Sequence, residues 1–367
     1  LIGHNNKWSP PSSDRKAVFS NIEPGNYEFQ VISANNNGIW NKKPVVYKFN
    51  IIQAFWQKIW FKIIIIIILL IIIYLFFEIR NKSLKIAKQN LEKSVGERTF
   101  ELNEQKNKLE TSNNKITEGI SYARIIQSAM LPEDELFNLN FTDYFILNLP
   151  KDIVSGDFYW ARNFVHKDEN HIVISVADCT GHGIPGALVS MLGMALLNEI
   201  TRKKDITRAS QVLEELRNEI KKSLNQRSEL VDQTEGIDMV LCDINTTNGE
   251  MQFAGANNPL YLIRDNELLV LKPTINPVGI FIKELPFENQ IVQLKSNDIL
   301  YMFTDGLIDQ FNEKGEKFKE KRFRDMLRSF KGIKLSEQKN ILQNTFLNWK
   351  GNKSQIDDVL VIAVKIK

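Results

Sequence analysis

Cysteine and histidine are scarce in this chain. Its 367 residues hold two cysteines and four histidines. Two cysteines, Cys179 and Cys242, are too few for a disulfide framework and fit a reducing compartment. No cluster of Cys and His has the spacing of a zinc or iron site. None of His4, His166, His171 and His182 lies on the long helical segment described below, which excludes a histidine phospho-acceptor there. A net charge of +3 and the lack of a basic stripe with interleaved aromatics argue against a nucleic-acid partner. The chain starts at Leu1, with no signal peptide, and reads as a fragment of a longer or processed protein. Proline is missing between Asn81 and Leu131, so nothing breaks a helix there.

What is present divides into four segments. Residues 1–52 read as β structure. Tyr27 to Val31 alternates apolar and polar residues, Val45 to Phe49 is a second strand, and Pro24-Gly25-Asn26 and Asn35 to Gly38 are turn chemistry. About 50 residues is thin for an independent sandwich, so this is expected to be part of one. Residues 56–79 contain an unbroken apolar run from Ile63 to Phe77. From Ile59 the run spans roughly 28 Å as a helix, near the hydrocarbon thickness of a bilayer. Lys62 can snorkel, and Trp56, Trp60 and Tyr74 suit the interfaces. A single membrane span is expected. Lysines flank both ends, so charge does not orient it. The reduced thiols favour a cytoplasmic C-terminal part and an extracytoplasmic N-terminal one.

Residues 80–131 read as a linker helix. Val95, Leu102, Leu109 and Ile116 recur every seven residues, while the partner stripe passes from Leu84 and Leu91 to Arg98, Gln105 and Ser112. One apolar and one polar stripe predict a weak two-stranded coiled coil, hence a homodimer. Pro132 ends the helix. Residues 132–367 read as one α+β domain, with helices grouped between strand groups rather than alternating with them. Strands are expected at Phe145–Leu149, Ile172–Ala177, Met239–Asp243, Met251–Gly255, Leu260–Ile263, Leu268–Leu271, Ile291–Leu294, Ile299–Thr304 and Val359–Ile366. Helices are expected at Ala187–Thr201, Ser210–Leu224, Lys321–Phe330 and Ser336–Phe346.

Four acidic turns border these strands: Ser155-Gly156-Asp157-Phe158, Asp178-Cys179-Thr180-Gly181-His182-Gly183, Thr304-Asp305-Gly306 and Gln355-Ile356-Asp357-Asp358. One Asp-Gly after a strand is most often only a turn. Several in one domain are a stronger signal, because carboxylates gathered at one rim repel and need a cation. Oxygen donors suit Mg2+ or Mn2+. Two such ions point to hydrolysis of a phosphate ester.

The order G-D-F, A-D-x-T-G-H-G-I-P-G-A-L, T-D-G and D-D-V resembles the PPM-type metal-dependent protein serine/threonine phosphatases, in their bacterial SpoIIE/RsbU branch. Ile120 to Pro132 is similar to the helix preceding that catalytic domain. Gly255-Ala256-Asn257-Asn258-Pro259-Leu260 is similar to its A-G-H-x-P-P-L turn, with Asn in place of the usual His. The segment around Asn21 to Phe29 and Gly38 to Trp40 resembles the sandwich module that follows sensory β-propellers. The resemblance implies a layered α-β-β-α sandwich. It implies that Asp178 bridges two cations, that the Cys179 carbonyl completes one coordination shell, and that Asp305 and Asp357 hold the other ion. Asp358 is the alternative to Asp357, and Asp157 binds directly or through water. His182 is either the proton donor to the leaving oxygen or a turn residue at a helix N-terminus. No counterpart of the phosphate-binding arginine of the eukaryotic enzymes is present. The substrate implied is a phosphoprotein, with a phosphorylated anti-sigma-factor antagonist as one instance. A catalytically silent receptor module is the competing reading, and it predicts a missing metal ligand.

Overall fold

The structure, a computed structural model, describes residues 1–5, 7–166, 168–203, 208–225 and 236–367. It divides into two compact units, Leu1–Asn107 and Lys108–Lys367. In the first, strands β1 (Gly25–Val31) and β2 (Val45–Ile51) pair antiparallel, with Gly25 opposite Ile51. Tyr27 is buried, stacks on Phe49 and donates its hydroxyl to the Glu23 carbonyl at 2.5 Å. The two strands lie where the sequence pattern places them, except that Gly25 and Asn26, expected in a turn, open β1 because they pair with Ile51 and Asn50.

Helix α1 runs without a break over 72 residues, Ile59–Met130. The apolar run and the heptad segment are therefore one continuous helix. Every residue from Ile63 to Phe77 is exposed, so this run has no protein partner among the described residues. By length and composition it can cross a membrane.

The second unit has four layers. After helix α2 (Asp134–Asn140) come β3 (Asp143–Leu149), β4 (Phe158–His166) and β5 (Glu169–Cys179). Helices α3 (Gly183–Ile200) and α4 (Ala209–Ser223) follow. Then come β6 (Gly236–Asn245), β7 (Glu250–Ala256), β8 (Leu260–Arg264), β9 (Glu267–Leu271), β10 (Val278–Gly279), β11 (Gln290–Gln293) and β12 (Ile299–Phe303). Helices α5 (Gly306–Asp309), α6 (Glu320–Ser329) and α7 (Leu335–Lys350) lead to the closing strand β13 (Val359–Lys365). One sheet has the order β11-β7-β6-β5-β4, with β10 added on β6; the other has the order β3-β13-β12-β8-β9.

Three apolar cores fill the spaces between layers. The period of two along each strand decides which core a side chain enters. On β5, Val173 and Ala177 face α3 and α4, joining Leu197, Leu213 and Leu216. Ile172, Ile174 and Val176 face the second sheet, joining Leu300, Met302, Leu360 and Ile362. On β13, Val361 and Ala363 turn outward to Phe323, Leu342 and Phe346 of α6 and α7. Burial on both faces explains why these strands read as continuous apolar runs. It also fixes their ends, because a one-residue slip would exchange the two cores.

Sequence patterning does not mark β4, α2, β10 or α5. Strand β4 is the edge of its sheet and carries Arg162 and Asn163 in its middle. Its order comes from the ladder with β5 and from α3. Trp160 Nε1 donates to Asn198 Oδ1 at 3.1 Å, and Arg162 donates to the Asn198 carbonyl.

Candidate metal centre

Antiparallel pairing gathers the four acidic turns. Phe158 at the start of β4 lies opposite Ala177 near the end of β5, so Asp157 comes beside Asp178. Phe303 at the end of β12 lies opposite Val361 near the start of β13, which brings Asp305 beside Asp357 and Asp358. Val359 also pairs with Leu149 at the end of β3, so the loop from Lys151 to Asp157 leaves from the same rim. Carboxylates before one strand and after its neighbour thus share an edge, although the turns are far apart in sequence.

Close backbone contact locks the turns together. A side chain at Gly306 would put its first carbon 1.9 Å from the Asp358 carbonyl oxygen. At Gly186 that carbon would meet the Gly181 carbonyl at 2.1 Å, and at Gly156 it would lie 2.6 Å from the same carbonyl and 3.3 Å from that of Cys179. These glycines are needed because another backbone occupies the space of a Cβ. The Cys179 carbonyl therefore faces the loop that ends in Asp157, while its thiol is buried and pushed well up by that burial.

The carboxylates play different parts. Asp358 is 2% exposed; its Oδ1 accepts the Lys151 N–H and its Oδ2 the Gly156 N–H, both at 2.7 Å. Both oxygens thus hold the 151–157 loop. Lys151 also sends its ammonium to the Ile356 carbonyl at 2.6 Å. Asp357 is only half-buried and accepts the Asp358 N–H through Oδ1. Asp157, 4% exposed, accepts the Thr304 hydroxyl at 2.6 Å. Asp305 lies close enough to Asp178 for the two carboxyl groups to act on each other.

The electrostatics are those of like charges forced together. Burial first, then repulsion from neighbouring aspartates, pushes the Asp157 and Asp178 carboxyls well up; Asp358, Asp357 and Asp305 act on the former, and Asp157, Asp305, Asp357 and Asp238 on the latter. Asp305 is pushed up to about 6, by burial first and then by Asp309, Asp357 and Asp238.

Asp238 is the residue that sequence reading misses. It lies directly across the β5–β6 ladder from Asp178 and accepts a hydrogen bond from the Asn257 amide at 2.8 Å. The available signal was a lone carboxylate, Gly236-Ile237-Asp238-Met239, at the head of an apolar strand. A second unforeseen contact is Gln127, the buried side chain of α1. Its amide donates to the Ser155 carbonyl and the Ser190 hydroxyl and its oxygen accepts the Ser155 N–H, tying the end of α1 to the loop before Asp157 and to α3.

His182 stands at the N-terminus of α3 and makes no capping hydrogen bond through its side chain. Its Nδ1 lies 3.0 Å from Asp152 Oδ2, and both side chains are about half exposed. It is thus an accessible imidazole held by a carboxylate of the 151–157 loop.

Among the described residues, no three His, Cys, Asp or Glu side chains stand closed around one point. The donor chemistry nonetheless fits hard divalent cations. The rim offers carboxylate and carbonyl oxygens that repel one another, from buried Asp157 through half-buried Asp178 to exposed Asp305, and Mg2+ characteristically keeps several waters and takes few protein ligands.

A family model described as Stage II sporulation protein E (SpoIIE) matches residues 168–367. The chain belongs to the SpoIIE family. A second model, the Y_Y_Y domain, matches residues 1–51. The SiaA-PP2C domain of Pseudomonas aeruginosa is similar in structure, with a TM-score of 0.60 and 31% identity over 70% of this chain and 99% of that domain. Phosphoserine phosphatase RsbU of Bacillus subtilis (strain 168) is 26% identical over 209 residues. These are 55% of this chain and 56% of RsbU, so the chain spans little more than half the length of that relative. Its SpoIIE-family domain is of the PP2C phosphatase class, which is metal-dependent, and the mixed α+β architecture agrees with that class.

Proposed function

We propose that the chain is a membrane-anchored protein serine/threonine phosphatase that removes phosphate from phosphoserine or phosphothreonine with two Mg2+ or Mn2+ ions. One observation carries this reading: Asp157, Asp178, Asp305 and Asp357 lie on one rim, where the neighbouring carboxylates press on Asp157 and Asp178. Asp178, Asp305 and Asp357, with the Cys179 carbonyl and with Asp157 directly or through water, are the groups that would hold the ions. Bound there, the ions supply an activated water and neutralise charge on the phosphoryl oxygens.

The chain's own residues do the rest. Asp178 stands on the end of a strand buried on both faces, which sets its position on the rim. The geometry supports Asp357 over Asp358 as ligand, since both Asp358 oxygens already accept backbone N–H groups. Asp358 instead orients the loop that presents Asp157. Thr304 holds Asp157 through a hydroxyl hydrogen bond. His182, exposed and oriented by Asp152, can hand a proton to the leaving seryl or threonyl oxygen. The competing reading, a receptor domain without turnover, calls for a lost ligand, and the sequence retains each carboxylate expected for the site.

The apolar run of α1 supports a single membrane span, with the phosphatase unit cytoplasmic and residues 1–52 on the far side. The heptad stripe supports a homodimer through the linker. Gln127 offers a path by which linker packing reaches the Asp157 loop. A phosphorylated anti-sigma-factor antagonist is the proposed substrate class, on family grounds alone. Replacing Asp178 with Asn tests the catalytic reading. Mn2+-dependent hydrolysis of a phosphoserine peptide and of an aryl phosphate is expected to vanish in a folded protein. Retained turnover overturns the assignment.

A further inference from the structure

Asp238 adds a carboxylate to a rim already crowded with them, and nothing in the fold requires it. Directly opposed residues of an antiparallel pair carry their side chains on the same face, within contact of each other. Asp238 and Asp178 are such a pair. The β5–β6 ladder is made by backbone groups and is indifferent to a charge at this position. Asp238's hydrogen-bond donor is Asn257, in the turn after β7. That turn does not need the contact either. It is fixed by Asn257 N–H to the Thr274 carbonyl at 3.0 Å and by Thr274 N–H to the Gly255 carbonyl at 2.9 Å. Asn257 sits in the left-handed region, φ 56°, which Asn tolerates better than most residues, and this aims its amide at Asp238. Burial raises the Asp238 carboxyl above its ordinary value, and the Asn257 amide works against that rise. The pair thus sets a second, oriented carboxylate directly across the ladder from Asp178.

We propose that Asp238, oriented by Asn257, is a positioning carboxylate that strengthens cation binding at the Asp178–Asp305 end of the rim. This rests on the cation-site reading above and adds a residue to it. Asp238 stands outside the ligand set named there. It acts by charge and by placing Asp178, as partners behind metal ligands do. Without a cation its charge only adds to the repulsion. With one, it contributes attraction. The carboxylate is thus expected to weaken the metal-free fold and to stabilise the loaded one.

Those opposite signs give the test. The full chain in detergent is titrated with Mn2+ by calorimetry, and its melting is recorded with chelator and with Mn2+. Asp238→Asn is expected to bind Mn2+ about tenfold more weakly, the lower range for groups behind metal ligands. Its metal-free melting temperature is expected to equal or exceed that of the parent. Asn257→Gly, which suits the positive φ, is expected to lose a smaller part of the affinity. Unchanged or tighter Mn2+ binding in Asp238→Asn overturns the proposal. So does a lower metal-free melting temperature, which marks a structural residue. Asp178→Asn is run alongside: full Mn2+ binding in that variant sinks the site itself, whereas lost binding there with none lost in Asp238→Asn sinks only the role of Asp238.

Discussion

Strands β5 and β6 carry carboxylates at both ends of their ladder, and the two ends are treated differently. At the far end, Asp243 meets His171, Oδ1 to Nδ1 at 2.8 Å, and Glu169 accepts the Asn245 amide at 2.6 Å. Phe164 stacks on the His171 ring. Each of these acids has a local donor, and Asp243 has one that can carry positive charge. At the near end Asp178 faces Asp238, with Asp157, Asp305 and Asp357 around them. The donors there are a hydroxyl, an amide and backbone N–H groups, which steer carboxylates without cancelling their charge. The far end pairs its acids with donors of the chain itself, whereas at the near end the proposed cations would supply the positive charge.

The largest expected effect separates these ends. Asp178→Asn is expected to lower phosphatase activity by about a thousandfold or more, since charge stabilisation is commonly the largest catalytic contribution. It should also reduce repulsion, so that its melting temperature in chelator rises above that of the parent. The parent should melt higher with Mn2+ than with chelator, and Asp178→Asn should lose most of that difference. Equal Mn2+ stabilisation of both proteins would break the contrast.

Asp358 sharpens it within the rim itself. Asp358→Ala leaves the Lys151 and Gly156 N–H groups without their acceptor, at a cost of about 2–4 kcal/mol by the penalty for buried unpaired donors. Thermal unfolding in chelator reads this loss directly. Activity should fall as well, through misplacement of the Asp157 loop. A variant as stable as the parent would return Asp358 to the ligand set and remove its structural role.

His171→Ala tests the far end. The Asp243 carboxylate loses its hydrogen-bond partner and Phe164 its stacking surface, for about 1–3 kcal/mol. Mn2+ affinity and turnover should stay as in the parent. A change in either would mean that the two strand ends are coupled through the ladder.

The same contrast explains what was legible in the sequence. Asp178, Asp305 and Asp357 stood out because β5, β12 and β13 are buried on both faces and read as long apolar runs with an acid beside them. The layered α+β order was legible for the same reason. Strand β4 was not, because an edge strand tolerates Arg162 and Asn163. Asp238 was hidden because its meaning lies in the β5–β6 register, which joins residues 60 positions apart and has no local signature. The tandem Asp357-Asp358 could not be divided by spacing; the two backbone N–H groups that the 151–157 loop gives to Asp358 favour Asp357 as the proposed ligand. Gln127 looked like one more polar residue of a linker helix until its partners were seen on Ser155 and Ser190.

The smallest effect concerns the linker, where neither end of the ladder is touched. Val95, Leu102, Leu109 and Ile116 are all exposed on the single chain, at 56–67%. An apolar seam of that period finds cover in a second helix, and its polar companion stripe keeps the pairing weak. Leu102→Glu with Leu109→Glu is expected to shift the full chain in detergent from dimer to monomer, as read by sedimentation. The proposed ligands all lie in one chain, so Mn2+ affinity should not move. Basal turnover should change by only a few fold, through the contacts of Gln127 with the Asp157 loop. A dimer that persists, or a monomer with unaltered turnover, would remove the linker as the route from membrane to rim and leave the rim's chemistry untouched.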